Sequence, residues 1–282
     1  MLRDGLAALL PTLRSDDQLV LVDSASDTDE TRRVAAEFDV PIVRSEIKGL
    51  SIARNLGVTH ATNDIVVFTD DDCLPQPGWL DVIEHAFDTP EVGFVIGQVR
   101  ADVDDAYLPF DATPRPRRVF VGPTDPIDIG HGACMAFRRD AYVGCGGADD
   151  RLGAGTRLLS AEDHDLFVRM LVHGWTGKYE PDALVLHRDW RTHREVVRYC
   201  WGVGLGTGAM VGKMTRVAGL KTTRPLLRRR FGSDGIGELA RGVRKRSKSM
   251  VAASTLKLTG TLTGFTLGLL FRRDGERFRA RR

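Results

Sequence analysis

The strongest constraint on this chain is a rhythm. Between Gln18 and Thr69, short apolar runs alternate with stretches of helical period. Leu2, Leu6, Leu9, Leu10 and Leu13 recur at helical spacing, so the chain opens on an amphipathic helix. Gln18–Asp23 reads as a buried strand, 28–38 as a helix, 41–44 as a strand and 50–61 as a third helix. The run Asp64–Thr69 is another strand, and it passes directly into Asp70, Asp71 and Asp72. Strands alternating with helices of this length predict an α/β fold with a mostly parallel sheet flanked by helices. Such sheets bind ligands beyond the carboxyl ends of their strands, where Asp23 and the Asp70–Asp72 run both fall.

Further along, 100–130 is rich in Pro, Asp and Arg and reads as a long surface loop. A strand is expected over 132–138, a helix over 160–173 and a last strand over 183–187. Beyond His187 the texture changes. Residues 1–187 hold 17 Lys/Arg against 32 Asp/Glu, and residues 188–282 hold 23 against 6. The acidic half suits a site that handles metal ions, and the basic half suits anionic partners. We therefore expect a domain over 1–187 and a basic, Gly-rich helical region over 188–282.

In that second region Gly204, Gly208 and Gly212 are spaced by four, as are Gly260, Gly264 and Gly268. Glycine at every fourth position lines one helix face and lets another backbone come close. Arg244–Arg246 precede the apolar stretch 250–271, and Arg272, Arg273 and Arg279–Arg282 follow it. That pattern predicts helices lying on, or partly in, an anionic membrane face. No run of roughly 18 apolar residues is long enough to predict a span. No signal peptide is visible at the N-terminus. Cys73, Cys134, Cys145 and Cys200 form no CxxC pair, which argues against a zinc ribbon or a disulfide scaffold. The expected location is cytoplasmic, peripheral to the inner membrane face. Aromatic residues are sparse in the basic region, so nucleic acid is not an expected partner.

Three carboxylates at a strand end repel one another unless a cation or hydrogen bonds relieve them. In an extended chain Asp70 and Asp72 point to one side and could hold Mg2+ or Mn2+, ions that favour oxygen ligands and share their shell with phosphates. Taken alone, the run equally fits a solvated turn. Ser160, Ala161, Glu162 and Asp163 read as a capping box with Ser160 as the N-cap. Asp163 is then either a cap or a general base held rigidly at a helix start. His187 ends an apolar strand, where a packed core histidine and a ligand are both consistent readings.

In combination these stretches carry a resemblance. VLVDSASDTDET at 20–31, KGLSIARNLGVTHATNDIVVFTDDDCLPQPGWL at 48–80 and GHGACMAFRRDAYVGCGGADDRLGAGTRLLSAEDHDLFVRMLVHG at 130–174 run in the order of glycosyltransferase family 2. That family comprises inverting nucleotide-sugar transferases of GT-A fold, and the likeness covers roughly 18–187. The resemblance implies that Asp23 meets the nucleobase. It implies that Lys48, Arg54, Asp70 and Asp71 serve the nucleotide, and that Asp70 and Asp72 are the ends of a D-x-D motif whose second member binds metal. It makes Asp163 the catalytic base with Glu162 beside it, and His187 a further metal ligand. It sets Trp79 and the Gly146–Asp150 turn along the donor and acceptor clefts. The implied reaction is metal-dependent, inverting transfer from a nucleoside-diphosphate sugar, expected to be a uridine derivative, to a glycan or lipid-linked hydroxyl.

The likeness begins after the family's first strand, so either the start was placed too late or the sheet is built without that strand. A catalytically degenerate nucleotide- or glycan-binding protein of the same fold is the alternative. A haloacid-dehalogenase-type phosphatase also places D-x-D after an apolar strand. It fits less well, because Leu74 stands where that motif wants Thr or Val and two α/β units precede the run here.

Overall fold

Strand β1 (Leu21–Ser24), helix α2 (Glu30–Glu37) and strand β2 (Ile42–Ser45) form the first α/β unit, preceded by α1 (Leu2–Leu9). In the computed structural model, which describes residues 1–103, 115–188 and 190–278 apart from the side chain of Thr222, β1 and β2 run parallel. Their register sets Asp23 directly beside Arg44. Among the described residues these two strands make a sheet of their own. Residues 104–114 of the loop expected over 100–130, and the basic end Arg279–Arg282, lie outside the described residues.

Helix α3 (Leu50–His60) leads into β3 (Ile65–Thr69), the chain turns through Asp70–Asp72, and β4 (Cys73–Pro75) follows at once. Then come α4 (Trp79–Ala86), β5 (Val92–Ala101), β6 (Arg118–Phe120), β7 (Cys134–Arg138), α5 (Arg139–Gly144), α6 (Glu162–Val172) and β8 (Thr176–His187). The main sheet has the order β3-β7-β5-β8-β4, with β6 beside β8.

The α/β class and the GT-A-type layering hold, but the sheet is mixed rather than mostly parallel. Only β5 and β8 pair in parallel within it, while β3–β7, β5–β7, β4–β8 and β6–β8 are antiparallel. The strand–helix alternation predicts parallel pairing only where a helix carries the chain back. β3 and β4, three residues apart, do not pair with each other; each pairs antiparallel with a strand distant in sequence, β7 and β8.

One strand is added and one changes. β5 is buried along Val92–Val99, so its run shows no alternation to read. β8 begins at Thr176 rather than 183, and its register against β5 shifts between Gly97 and Gln98, where β8 advances from Glu180 to Leu184. The bulge holds Pro181, which cannot donate to a ladder and which hides the strand's first half from a sequence reading.

The core lies on both faces of this sheet. Phe94, Phe137, Phe167 and Tyr142 pack on one side. Trp79, Ile83, Val95 and Val185 pack on the other. Trp79 is 2% exposed and donates its indole N–H to Thr12 at 3.0 Å, so it is a core anchor, not a cleft residue.

By its contacts the chain divides into two units: 1–48, 52–148 and 163–190 in one, and 49–51, 149–162 and 191–282 in the other. In the second, α7 (His193–Leu227) is opened by a capping box of Thr192 with Glu195 and contains a break at Gly219. A π-helical stretch over Arg228–Gly237 continues into α8 (Glu238–Arg244), and α9 (Lys248–Leu270) follows. A hairpin of β9 (Arg273–Asp274) and β10 (Arg277–Phe278) comes last.

The two glycine series face each other. A Cβ at Gly204 or Gly208 would strike the α9 backbone, and one at Gly264 or Gly268 the α7 backbone. Each Gly costs a helix about 1 kcal/mol against Ala, which close packing offsets here. No helix among the described residues is long and apolar enough to cross a membrane.

Candidate active site

The Asp70–Asp72 turn hands its carboxylates to different partners. Arg54, itself 6% exposed, reaches from α3 to Asp70 Oδ1 at 3.1 Å and to the Gly132 carbonyl at 3.2 Å. Its guanidinium also lies 5.9 Å from the centroid of the Phe68 ring. The side chain is thus a buried brace between β3 and the loop before β7. Asp71 remains exposed at the tip of the turn. Crowding by the surrounding protein, then the charges of Asp72 and Asp70, raise its pKa.

Asp72 is buried and faces the end of β8. Oδ2 accepts the Trp190 indole N–H at 2.8 Å, and Oδ1 lies 3.4 Å from His187 Nε2. His187 Nδ1 is 2.9 Å from the Arg188 carbonyl, an acceptor only, so Nδ1 carries the hydrogen. In the neutral ring Nε2 then presents a lone pair to a carboxylate oxygen. Two electron-rich atoms facing each other fit a cation between them better than they fit each other.

Asp72, Cys73 and His187 are the group of potential ligands that falls within metal-binding reach among the described residues. Cys73 packs in the apolar core, where burial pushes its thiol far above the usual range, so it offers no thiolate. Asp72 and His187 come together as the resemblance implies. Asp70 does not join them in this group; its Oδ1 accepts from Arg54 instead.

Asp163 stands at the start of α6. The expected capping box is absent: Ser160 Oγ instead donates to the Gly202 carbonyl at 3.0 Å. Helix α6 begins at Glu162, directly after Ala161, whose φ is +69°. Leu159 is also left-handed, at +66°. Two non-glycine residues in this region mark local strain of a kind that gathers at functional sites.

Asp163 Oδ2 accepts the Gly132 N–H at 2.9 Å, and Oδ1 accepts the His164 N–H at 2.7 Å. Desolvation pushes its pKa up. The charges of His164 and His131, the His164 N–H and the charge of Arg54 pull it down and prevail. Glu162, next in the chain, packs its carboxylate toward Gly153, where an added Cβ would lie 3.1 Å from Oε2. The two acids of the pair therefore sit in different surroundings.

His131 lies in the loop before β7, and crowding by the surrounding protein lowers its pKa. The charges of Asp163 and Asp70 oppose that shift, and those of His164 and His187 add to it.

At the other candidate position, Asp23 is 5% exposed. It receives the Ser26 N–H at 3.0 Å and a short ion pair from Arg44. Burial pushes its carboxyl up, but Ser26 and Arg44 hold it below the ordinary value. Lys48 is exposed and lies 3.3 Å from Asp27. In the Gly146–Asp150 turn, Asp149 is fully buried and is bound by Lys213 at 2.6 Å and by the Phe278 N–H at 2.7 Å, a structural arrangement.

Sequence reasoning missed Arg44, His131, Gly132 and Trp190. Arg44 was open to discovery through the parallel pairing of β1 with β2, and Trp190 through its place three residues after His187. His131 between two glycines carried no signal that distinguishes it from a turn.

Residues 1–144 match the model for glycosyl transferase family 2. The pre-mycofactocin glycosyltransferase of Mycobacterium tuberculosis is 30% identical over 201 residues, covering 66% of this chain and 42% of that protein. This chain thus spans less than half the length of that curated relative.

Among solved structures, mannosyltransferase PcManGT from Pyrobaculum calidifontis in complex with GDP-Man and Mn2+ superposes with a TM-score of 0.58 at 18% identity, covering 95% of this chain and 83% of that one. GalNAc-T7 with UDP, GalNAc and Mn2+ superposes at 0.52 and 14% identity, covering 71% of this chain and 44% of that one. These likenesses, at such identities, speak to the fold. With more than half of its residues inside the family match and a GT-A-like sheet carrying the acidic turn, this chain belongs to glycosyl transferase family 2.

Proposed function

We propose that the protein transfers a sugar from a nucleoside-diphosphate sugar, with inversion, to a hydroxyl of a glycan or lipid-linked acceptor. The observation that supports this reading is the bonded link from Asp163 through the Gly132 peptide and Arg54 to Asp70, together with the approach of His187 to Asp72. The Mn2+-containing neighbours support a divalent cation, and Asp72 with His187 would hold Mn2+ or Mg2+. Bound there, such an ion supplies Lewis-acid stabilisation of charge on a departing diphosphate.

The chain's own part follows from its chemistry. Asp163, ionised and fixed by two N–H donors, takes the proton of the acceptor hydroxyl. The acceptor oxygen then bonds to the anomeric carbon from the face opposite the nucleotide. The bond to the diphosphate breaks with its electron pair, which inverts the anomeric centre. A positioned base of this kind contributes roughly 10²–10⁴-fold. Asp23 offers a carboxylate to a nucleobase N–H, with uracil as the expected partner, while Arg44 keeps that carboxylate charged. Lys48, Arg54, Asp70 and Asp71 serve the nucleotide side, Arg54 by bracing Asp70. Glu162 supports the start of α6. Residues 1–187 would form the transferase domain. The basic region 188–282 would hold the enzyme at the cytoplasmic face of an anionic membrane, near a cell-envelope acceptor.

Asp163→Asn tests the reading. Transfer from the matching donor should fall to background, while calorimetric binding of nucleoside diphosphate with Mn2+ persists. Transfer at the parental rate would remove Asp163 from the role. Nucleotide binding by the parent with no transfer or donor hydrolysis would favour a binding protein of the same fold.

A further inference from the structure

Helix α9 is two-faced in an unusual sense. One face, with Ser254, Gly260, Gly264 and Gly268, is buried against α7. The opposite face carries Ala252, Thr255, Thr259, Leu262, Thr266 and Leu269, all exposed, Leu262 by 52%. At 3.6 residues per turn these positions make one stripe, roughly a third of the circumference and about 27 Å long.

No charged side chain lies on this stripe. Its hydroxyls are already spent: Thr255 donates to the Val251 carbonyl at 2.8 Å, Thr259 to Thr255 at 2.8 Å and Thr266 to Leu262 at 3.1 Å. A threonine whose hydroxyl bonds back into its own helix presents mainly its methyl group, and such a group costs little to take out of water.

Charge frames the stripe. From Leu239 to Arg273 the chain has no Asp or Glu. Arg241, Arg244, Lys245, Arg246 and Lys248 are all exposed about the turn from α8 to α9, beside Val243, itself 62% exposed. None of these five cations has a carboxylate partner among the described residues. Further along the helix, Lys257 is paired with Glu238 at 3.1 Å.

We infer that the α8–α9 elbow and the exposed stripe of α9 form a lipid-docking surface, with α9 lying flat in the interface of an anionic membrane. This deepens the membrane placement proposed above and rests on it. An uncharged face flanked by cations is the arrangement of an interfacial helix, and no helix of this region is apolar enough to span. A second copy of the chain fits poorly, because pairing this face with itself would oppose cations with no carboxylate to meet them. A nucleic acid would leave the leucine and threonine stripe unused.

Flotation of the full chain with vesicles tests the assignment. The parent should float with mixed phosphatidylcholine–phosphatidylglycerol vesicles, poorly with pure phosphatidylcholine, and less as salt rises. Arg244→Glu/Lys245→Glu/Arg246→Glu should weaken binding to the anionic vesicles by on the order of 100-fold. Leu262→Asp/Leu269→Asp should abolish flotation while adding no charge at the elbow. Circular dichroism melting should match the parent for both variants, since every altered side chain is exposed. If the parent floats and both variants float equally, the docking surface is elsewhere and only the membrane placement survives. If the parent floats with neither vesicle, or equally with both, or sediments as a dimer that the leucine changes dissolve, the inference is overturned.

Discussion

The amide N–H of Gly132 donates to Asp163 Oδ2 at 2.9 Å, and a Cβ added at Gly132 would lie 2.8 Å from that same oxygen and 3.0 Å from the Asp163 Cβ. The base candidate therefore rests against bare backbone. Gly132→Ala must move either the loop or the carboxylate. A displacement of about 1 Å at a reacting group can cost on the order of 100-fold in rate. We expect kcat to fall by that order, with nucleotide affinity within about twofold of the parent. Initial rates alongside calorimetry with nucleoside diphosphate check it. An unchanged kcat would show that Asp163 needs no such seat.

Arg54 ties this seat to the acidic turn, because one nitrogen of its guanidinium serves both Asp70 and the Gly132 carbonyl. A lysine keeps the charge but loses the planar fork. Arg54→Lys should lower kcat by roughly tenfold or more and weaken nucleotide binding as well, since Asp70 loses its fixed orientation. Arg54→Gln, which removes the charge, should be worse in both respects. If both variants change KM alone, Arg54 is a ligand of the nucleotide and not a brace.

What could be read in advance divides along physical lines. The β1-α2-β2 unit, α3 and β3 were legible because local periodicity and a helical crossover determine them. The antiparallel entries of β4 and β7 were not, because they depend on pairing between distant segments. β8 was half hidden, since Pro181 sits in a bulge and interrupts its pattern. At the site, Asp72 and His187 were each visible as strand-end residues. Their approach to 3.4 Å, and the Trp190 N–H on the other oxygen of Asp72, come from tertiary structure alone. The motif around Ser160 misled because S-x-x-D satisfies the capping pattern, while Ser160 Oγ is occupied by a carbonyl 42 positions away.

The lowered pKa of Asp163 carries a stability signature. A carboxyl whose folded pKa lies below its unfolded value of about 3.9 contributes stability that is present above that value and lost as pH falls through the folded one. The stability of the parent relative to Asp163→Asn should thus shift against the parent as the pH falls below about 4. Urea unfolding of both proteins across this range measures it. A difference that stays flat below about pH 4 would mean that the folded pKa is not lowered, and that the carboxylate is not held by its N–H donors as described.

The buried pair of Lys213 and Asp149 gives a prediction independent of catalysis. Their side chains are 2% and 0% exposed, 2.6 Å apart, with the Phe278 N–H on the same Asp149 oxygen. The Lys213 ammonium also lies 4.9 Å from the Phe278 ring. Lys213→Met removes the cation and leaves a buried carboxylate with two backbone N–H donors, Phe278 on one oxygen and Arg151 on the other. Breaking such a pair typically costs about 3–5 kcal/mol. Adding Asp149→Asn removes the stranded charge and should recover part of that loss, while the amide oxygen still accepts from Phe278. Denaturant melts of the single and double variants decide the matter. A double variant less stable than Lys213→Met would show that the carboxylate is held mainly by groups other than Lys213.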